Sequence, residues 1–98
     1  MTASADVTAA LQGNFPHIAP RASGDRPAIN VPLAEAPAVL TSLRDEHAFD
    51  FLVDVTAADW GVDTSPRFTV FWHLFSTTTH AYVRVAADCT SEVEARWR

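Results

Sequence analysis

The sequence predicts an α+β fold: two short N-terminal helices packed on a small, mostly antiparallel sheet of about four strands. Three observations predict it. Apolar residues recur at helical spacing in residues 3–12 and 33–46. They alternate at every second position in residues 49–57, 67–75 and 80–87. Helical patterns come first and turn-separated strand patterns follow, the order of a segregated α+β fold with a meander.

In residues 3–12, Val7, Ala10 and Leu11 follow i, i+3, i+4 spacing; Ser4 can cap the start and Gly13–Asn14 are stop signals. Residues 16–27 carry Pro16, Pro20, Gly24 and Pro27 and read as a loop. Residues 28–31 read as a short strand. Pro27 and Pro32 bracket it, which favours a sheet edge. In residues 33–46 Pro37 suits the first helical turn, and Ala36, Leu40 and Leu43 form an apolar stripe that Val39 widens.

Plain alternation in the first long strand puts Phe49, Phe51, Val53, Val55 and Ala57 on one face. In the next, Phe68, Val70, Trp72 and Leu74 oppose Thr69, Phe71, His73 and Phe75. In the last, Ala81, Val83, Val85 and Ala87 oppose Tyr82, Arg84 and Ala86. The strand over residues 67–75 is therefore apolar on both faces. The chain's own helices can cover one, and the other calls for a partner.

Ninety-eight residues make a single domain, 1–98. At 48% hydrophobic and 19% charged, the chain can build a core. Its basic residues are seven scattered arginines with no lysine, against 12 acidic residues, a net charge of -5. That balance argues against nucleic acid and against a polybasic membrane anchor. The lone Cys89 rules out an internal disulfide and a cysteine-framed metal or iron–sulfur site within the chain; it reads as a small, partly buried hydrophobe. Residues 1–12 lack the pattern of a signal peptide, and no apolar run approaches the roughly 20 residues that span a bilayer.

No arrangement compels catalysis. Asp50 and Asp54 lie four apart on one strand, about 13 Å at the usual strand rise, too far to share a proton. They read as solvated residues or turn caps. His73 and His80 flank a hairpin and could approach each other, but with Asp59 they make a poor metal set; His17 and His47 fall on other elements. Glycine-loop, P-loop and nucleophile-elbow motifs are absent. Arg67 and Arg84 read as cross-strand partners for Asp50 or Asp54. The residues alone describe a binding or assembly module.

One stretch is more specific. FDFLVDVTAADW over residues 49–60 resembles the FDxLxDxTAxDY run of the 30-kDa hydrophilic subunit of respiratory complex I, the C subunit of the bacterial NADH:quinone oxidoreductases. PRFTVFWHLFS over residues 66–76 is similar to that family's PRFEVVYHLxS, and HAYVRVAA over residues 80–87 loosely follows its next strand. The family continues into an acidic-basic signature and a His-Pro pair that this sequence does not contain, so the chain is expected to lack the family's C-terminal segment.

The resemblance implies a non-catalytic structural subunit of the peripheral arm. No cofactor is expected in this chain: FMN, iron–sulfur clusters and quinone would belong to partner subunits. The partners implied are the other peripheral-arm subunits, especially the quinone-site subunit, with membrane contact only through the complex, on the cytoplasmic face. The candidate interface residues are Phe71, His73, Phe75, Asp54, Asp59 and Trp60. Two other readings carry different expectations. A homologous domain of a membrane-bound hydrogenase or formate hydrogenlyase would sit among nickel-site genes. An independent small-molecule-binding domain would bring His73 together with Asp54 or Asp59 in a deep pocket.

Overall fold

The computed structural model describes residues 9, 11–21 and 27–89, and the fold is α+β. Among the described residues, five strands form one sheet: β1 (Ala19–Pro20), β2 (Ala28–Asn30), β3 (Phe51–Asp59), β4 (Phe68–Phe75) and β5 (Tyr82–Cys89). Their order across the sheet is β1-β2-β5-β4-β3. Among the described strands only the β2–β5 pair is parallel. A 3-10 turn (Leu33–Glu35) leads into helix α1 (Ala36–His47).

Five strands replace the expected four. The added one is β1, which pairs only Ala19 with Asn30 and Pro20 with Ile29. Two residues, one a proline, leave no alternation to read. The described elements also hold one α-helix rather than two. Most of the helix expected over residues 3–12 lies outside the described residues; Ala9 and Leu11 are helical, and a turn follows at residues 12–14.

β2 is interior, not at the edge. Its two prolines fall just outside the three paired residues, so no ladder donor is lost. The Pro27 carbonyl accepts from Arg84 N–H at 2.8 Å, and Val31 N–H donates to Ala86 at 2.9 Å. β2 can therefore bond on both sides, to β1 and to β5.

α1 begins three residues later than its pattern, with Pro37 in its first turn, where a missing N–H is harmless. It ends at Ala48 in the left-handed conformation (φ 64°), where Phe49 N–H turns back to the Leu43 carbonyl at 2.9 Å. The buried side of α1 is Ala36, Val39 and Leu43. It packs over Val70, Trp72 and Leu74 of β4 and Val83, Val85, Ala87 and Cys89 of β5. The faces expected for β4 and β5 are the faces observed. The Cys89 side chain is buried in this core, its Sγ 3.6 Å from the Ala87 carbonyl.

β3 departs from its pattern. Phe51 and Leu52 pair with Phe75 and Leu74, but Asp54 and Val55 pair with His73 and Trp72. A β-bulge at Val53 absorbs the extra residue, and the alternation changes phase there. Leu52, Val55, Ala57 and Asp59 consequently stand on the core side, while Phe51, Asp54, Thr56 and Ala58 stand on the outer side. The single face expected for Phe51, Val55 and Ala57 is thus split. The core-side row of β3 extends beyond α1, and a cleft of about 260 Å³ lies between Leu40 on the helix and Leu52 and Val55 on the strand.

Candidate interface on the outer sheet face

The face opposite α1 carries Thr69, Phe71, His73 and Phe75 on β4, with Asp54 and Trp60 from β3 and its end, and Arg84 and Asp88 from β5. The β4–β5 register is set by the turn at residues 76–81. Ser76 N–H donates to Ala81 at 2.9 Å, His80 N–H to Ser76 at 2.8 Å, and the Ser76 hydroxyl accepts from Thr79 N–H at 3.1 Å. That turn fixes His73 opposite Arg84 and Thr69 opposite Asp88.

His73 is held on both sides. Its Nδ1 contacts the Asp54 carboxylate, and its Nε2 accepts from Arg84 Nε at 2.8 Å. An Nε2 that accepts carries a lone pair, so the ring is neutral with its proton on Nδ1, where it donates to Asp54. The pairing is a cross-strand lock between β3, β4 and β5.

A second network runs from Trp60 to Arg21. The indole Nε1–H of Trp60 donates to Thr69 Oγ1 at 2.8 Å, and that hydroxyl donates to Asp88 Oδ1 at 2.7 Å. Arg21 lies 3.7 Å from Asp88, donates to Asn30 Oδ1 at 2.6 Å, and sets its guanidinium 5.3 Å from the Phe71 ring centre. Trp60 nevertheless keeps 51% of its surface exposed. Phe71 and Phe75 are half-buried. Phe75 rests between His80, 6.1 Å away, and Tyr82, 4.7 Å away.

Asp59 is on the core side of the β3 end and is separate from this face. It takes Arg67 in a two-point bridge, both bonds at 2.8 Å, and accepts Gly61 N–H at 3.0 Å. Arg67, first, and the Gly61 amide hold its pKa down to about 2. Gly61 has φ +111°, a backbone that glycine adopts freely and other residues adopt under strain. Asp50 caps the opposite turn: the Thr77 hydroxyl at 2.5 Å, first, and the Thr77 amide at 2.9 Å lower its pKa.

The cross-strand pairs therefore differ from those read in the sequence. Arg67 bonds Asp59, Arg84 bonds the His73 ring that Asp54 holds, and Asp50 binds Thr77. His73 and His80 do not join in one site. The former is locked between strands, and the latter stacks on Phe75. Of the six candidate interface residues, Phe71, His73, Phe75, Asp54 and Trp60 share the outer face. Arg84, Arg21, Thr69 and Asp88 join them there. The hairpin turn is the signal that places Arg84 and Asp88.

Chemically this face can bind and stack. Among the described residues, no group of three His, Cys, Asp or Glu side chains gathers as metal ligands. Clefts of about 660 Å³, beside α1 at Asn14 and Phe15, and about 260 Å³, beside β3, are not lined by His73, Asp54 or Asp59. No helix among the described residues is long and apolar enough to cross a membrane.

Comparison with known proteins decides the family. Residues 29–96 match the model of the respiratory-chain NADH dehydrogenase 30 Kd subunit, a span from β2 through β5. The chain belongs to this family. Among curated relatives, the NADH-quinone oxidoreductase C subunit of Moorella thermoacetica is 37% identical over 78 residues, covering 80% of this chain and 51% of the relative. The C subunit of Citrifermentans bemidjiense is 44% identical over 52 residues, covering 53% of this chain and 32% of that one. The C/D subunit of Bdellovibrio bacteriovorus is 42% identical over 60 residues, 61% of this chain and 10% of its own length. The chain thus spans about half the length, or less, of the curated relatives it matches.

Proposed function

We propose that this chain is the sheet-bearing part of the 30-kDa subunit in a proton-translocating NADH:quinone oxidoreductase, a structural piece of the peripheral arm that supports electron transfer through assembly. The match across the whole β2–β5 sheet carries the reading. In this proposal the chain holds no cofactor; FMN, iron–sulfur clusters and quinone reside on neighbouring subunits. It sits on the cytoplasmic side of the membrane and touches the membrane only through its partners.

The outer face is the proposed contact with the quinone-site subunit. Phe71, Phe75 and Trp60 supply stacking surface there, and the Asp54–His73–Arg84 lock holds the three strands beneath them in register. Aromatic anchors with a satisfied polar surround are the usual make-up of an interface centre. The Bdellovibrio relative carries both letters, C and D, in its name, which supports the D polypeptide as the neighbour.

The test is affinity purification of the tagged chain from detergent-solubilised membranes of its native host. Co-recovery of flavin, iron–sulfur and quinone-site subunits, identified by mass spectrometry, is the expected result. Recovery of the chain alone, or with nickel-site hydrogenase subunits, overturns the assignment.

A further inference from the structure

We propose that the open edge of β3 takes up an extended, basic-apolar strand from another chain by β-sheet addition. This surface is distinct from the outer face, and the inference does not depend on which complex the chain serves.

β3 is nine residues long and sits at the sheet margin, with no strand beside it among the described residues. Its backbone polarity follows from one bond. Trp60 N–H donates to the Arg67 carbonyl at 2.8 Å, so Trp60 and Arg67 form a hydrogen-bonded pair. Antiparallel pairs alternate. In the continuous register from Asp54 to Asp59, Asp54, Thr56 and Ala58 turn their N–H and C=O groups toward β4. Val55, Ala57 and Asp59 turn theirs outward.

Sheet margins are ordinarily blunted by charged side chains, lysine above all, by proline, by short length or by a bulge. β3 has neither lysine nor proline, its two charged residues, Asp54 and Asp59, are both acidic and so repel acidic strands only, and its bulge lies at Val53, leaving six regular residues beyond it. Phe51, Leu52, Val53 and Val55 are each more than a third exposed. The margin is a template for another strand.

Charge selects the occupant. Residues 50–67 contain Asp50, Asp54, Asp59 and Asp63 against the single Arg67. A second copy of this chain would set acidic strand against acidic strand. A basic strand would meet opposite charge. Its alternate apolar side chains would continue the Leu52–Val55 row beside the cleft, and its basic side chains would stand next to Asp54.

The test uses the purified full chain and two eight-residue peptides, one alternating valine with lysine and one alternating valine with glutamate. Amide exchange at Val55, Ala57 and Asp59 is followed by NMR. The lysine peptide is expected to slow exchange at these three amides at least tenfold, and the glutamate peptide is not. Ala57→Pro removes an outward donor while sparing the β4 ladder, and it is expected to weaken lysine-peptide binding at least tenfold with the circular dichroism unchanged. Unchanged exchange at the three amides of the parent chain overturns the proposal whether or not the proline variant folds. So does equal binding of both peptides, or a concentration-dependent dimer of the chain that protects the same amides.

Discussion

Arg84 donates its Nε–H to Nε2 of His73 at 2.8 Å, from the strand on the far side of the imidazole from Asp54. The bond assigns a proton. With Nε2 occupied as an acceptor, neutral His73 is the Nδ1–H tautomer. Long-range nitrogen–proton correlation spectra at pH 7.5 are expected to show that tautomer, and Arg84→Ala is expected to release it toward Nε2–H. A parent ring found as Nε2–H contradicts the lock.

The Asp59–Arg67 bridge gives a pH dependence of known sign. The folded carboxyl, at about 2, lies below its ordinary 3.8. A group depressed on folding stabilises the fold fully above its unfolded pKa, and the contribution disappears as pH falls through the folded value. Stability from this bridge is therefore present at pH 5 and lost between roughly pH 4 and pH 2. Asp59→Asn should flatten the acid limb of a urea-unfolding series over that window, and carbon NMR of the Asp59 carboxyl should give a midpoint near 2.

Ala48 closes α1 with φ 64°, a conformation that costs an alanine about 1 kcal/mol. Glycine adopts it without that cost. Ala48→Gly should stabilise the fold by about 0.5–1 kcal/mol, the gain being partly offset by a freer unfolded chain. Chemical denaturation checks it through a higher midpoint at unchanged slope.

Leu43 is fully buried in the core that α1 shares with β4 and β5. Leu43→Ala should cost about 2–5 kcal/mol. Phe71, half-buried beneath the Arg21 guanidinium, should behave differently. Phe71→Glu is expected to lower co-purification with partner subunits more than it lowers the melting temperature of the chain. Severe unfolding, with normal assembly by the surviving fraction, would argue against the outer face as the contact.

Much of this is legible in the residues, for reasons that also mark where reading fails. β4 and β5 keep strict alternation, so their faces follow from the period alone. The helix stripe of Ala36, Val39 and Leu43 is visible for the same reason. β3 misleads because a bulge adds one residue without altering composition, and everything beyond Val53 changes side. β2 misleads because prolines near a strand resemble prolines in it. The outer face is legible as aromatic. Its polar lock is not, because His73, Asp54 and Arg84 meet only through the registers of two strand pairs. Asp59 reads as part of that face, although the bulge puts it on the other.

The position of β5 has a consequence for how the molecule is made. The last of the described strands is the one at the centre of the sheet, parallel to β2 on one side and antiparallel to β4 on the other. A ribosome therefore releases β1, β2 and α1, and then the β3–β4 hairpin, as two pieces with no sheet bond between them. Only when residues 82–89 have emerged can these pieces join in one sheet, and that join closes a loop running through most of the chain. Until then the hairpin displays both margins, the kind of unpaired edge through which incompletely made sheets associate with other strands.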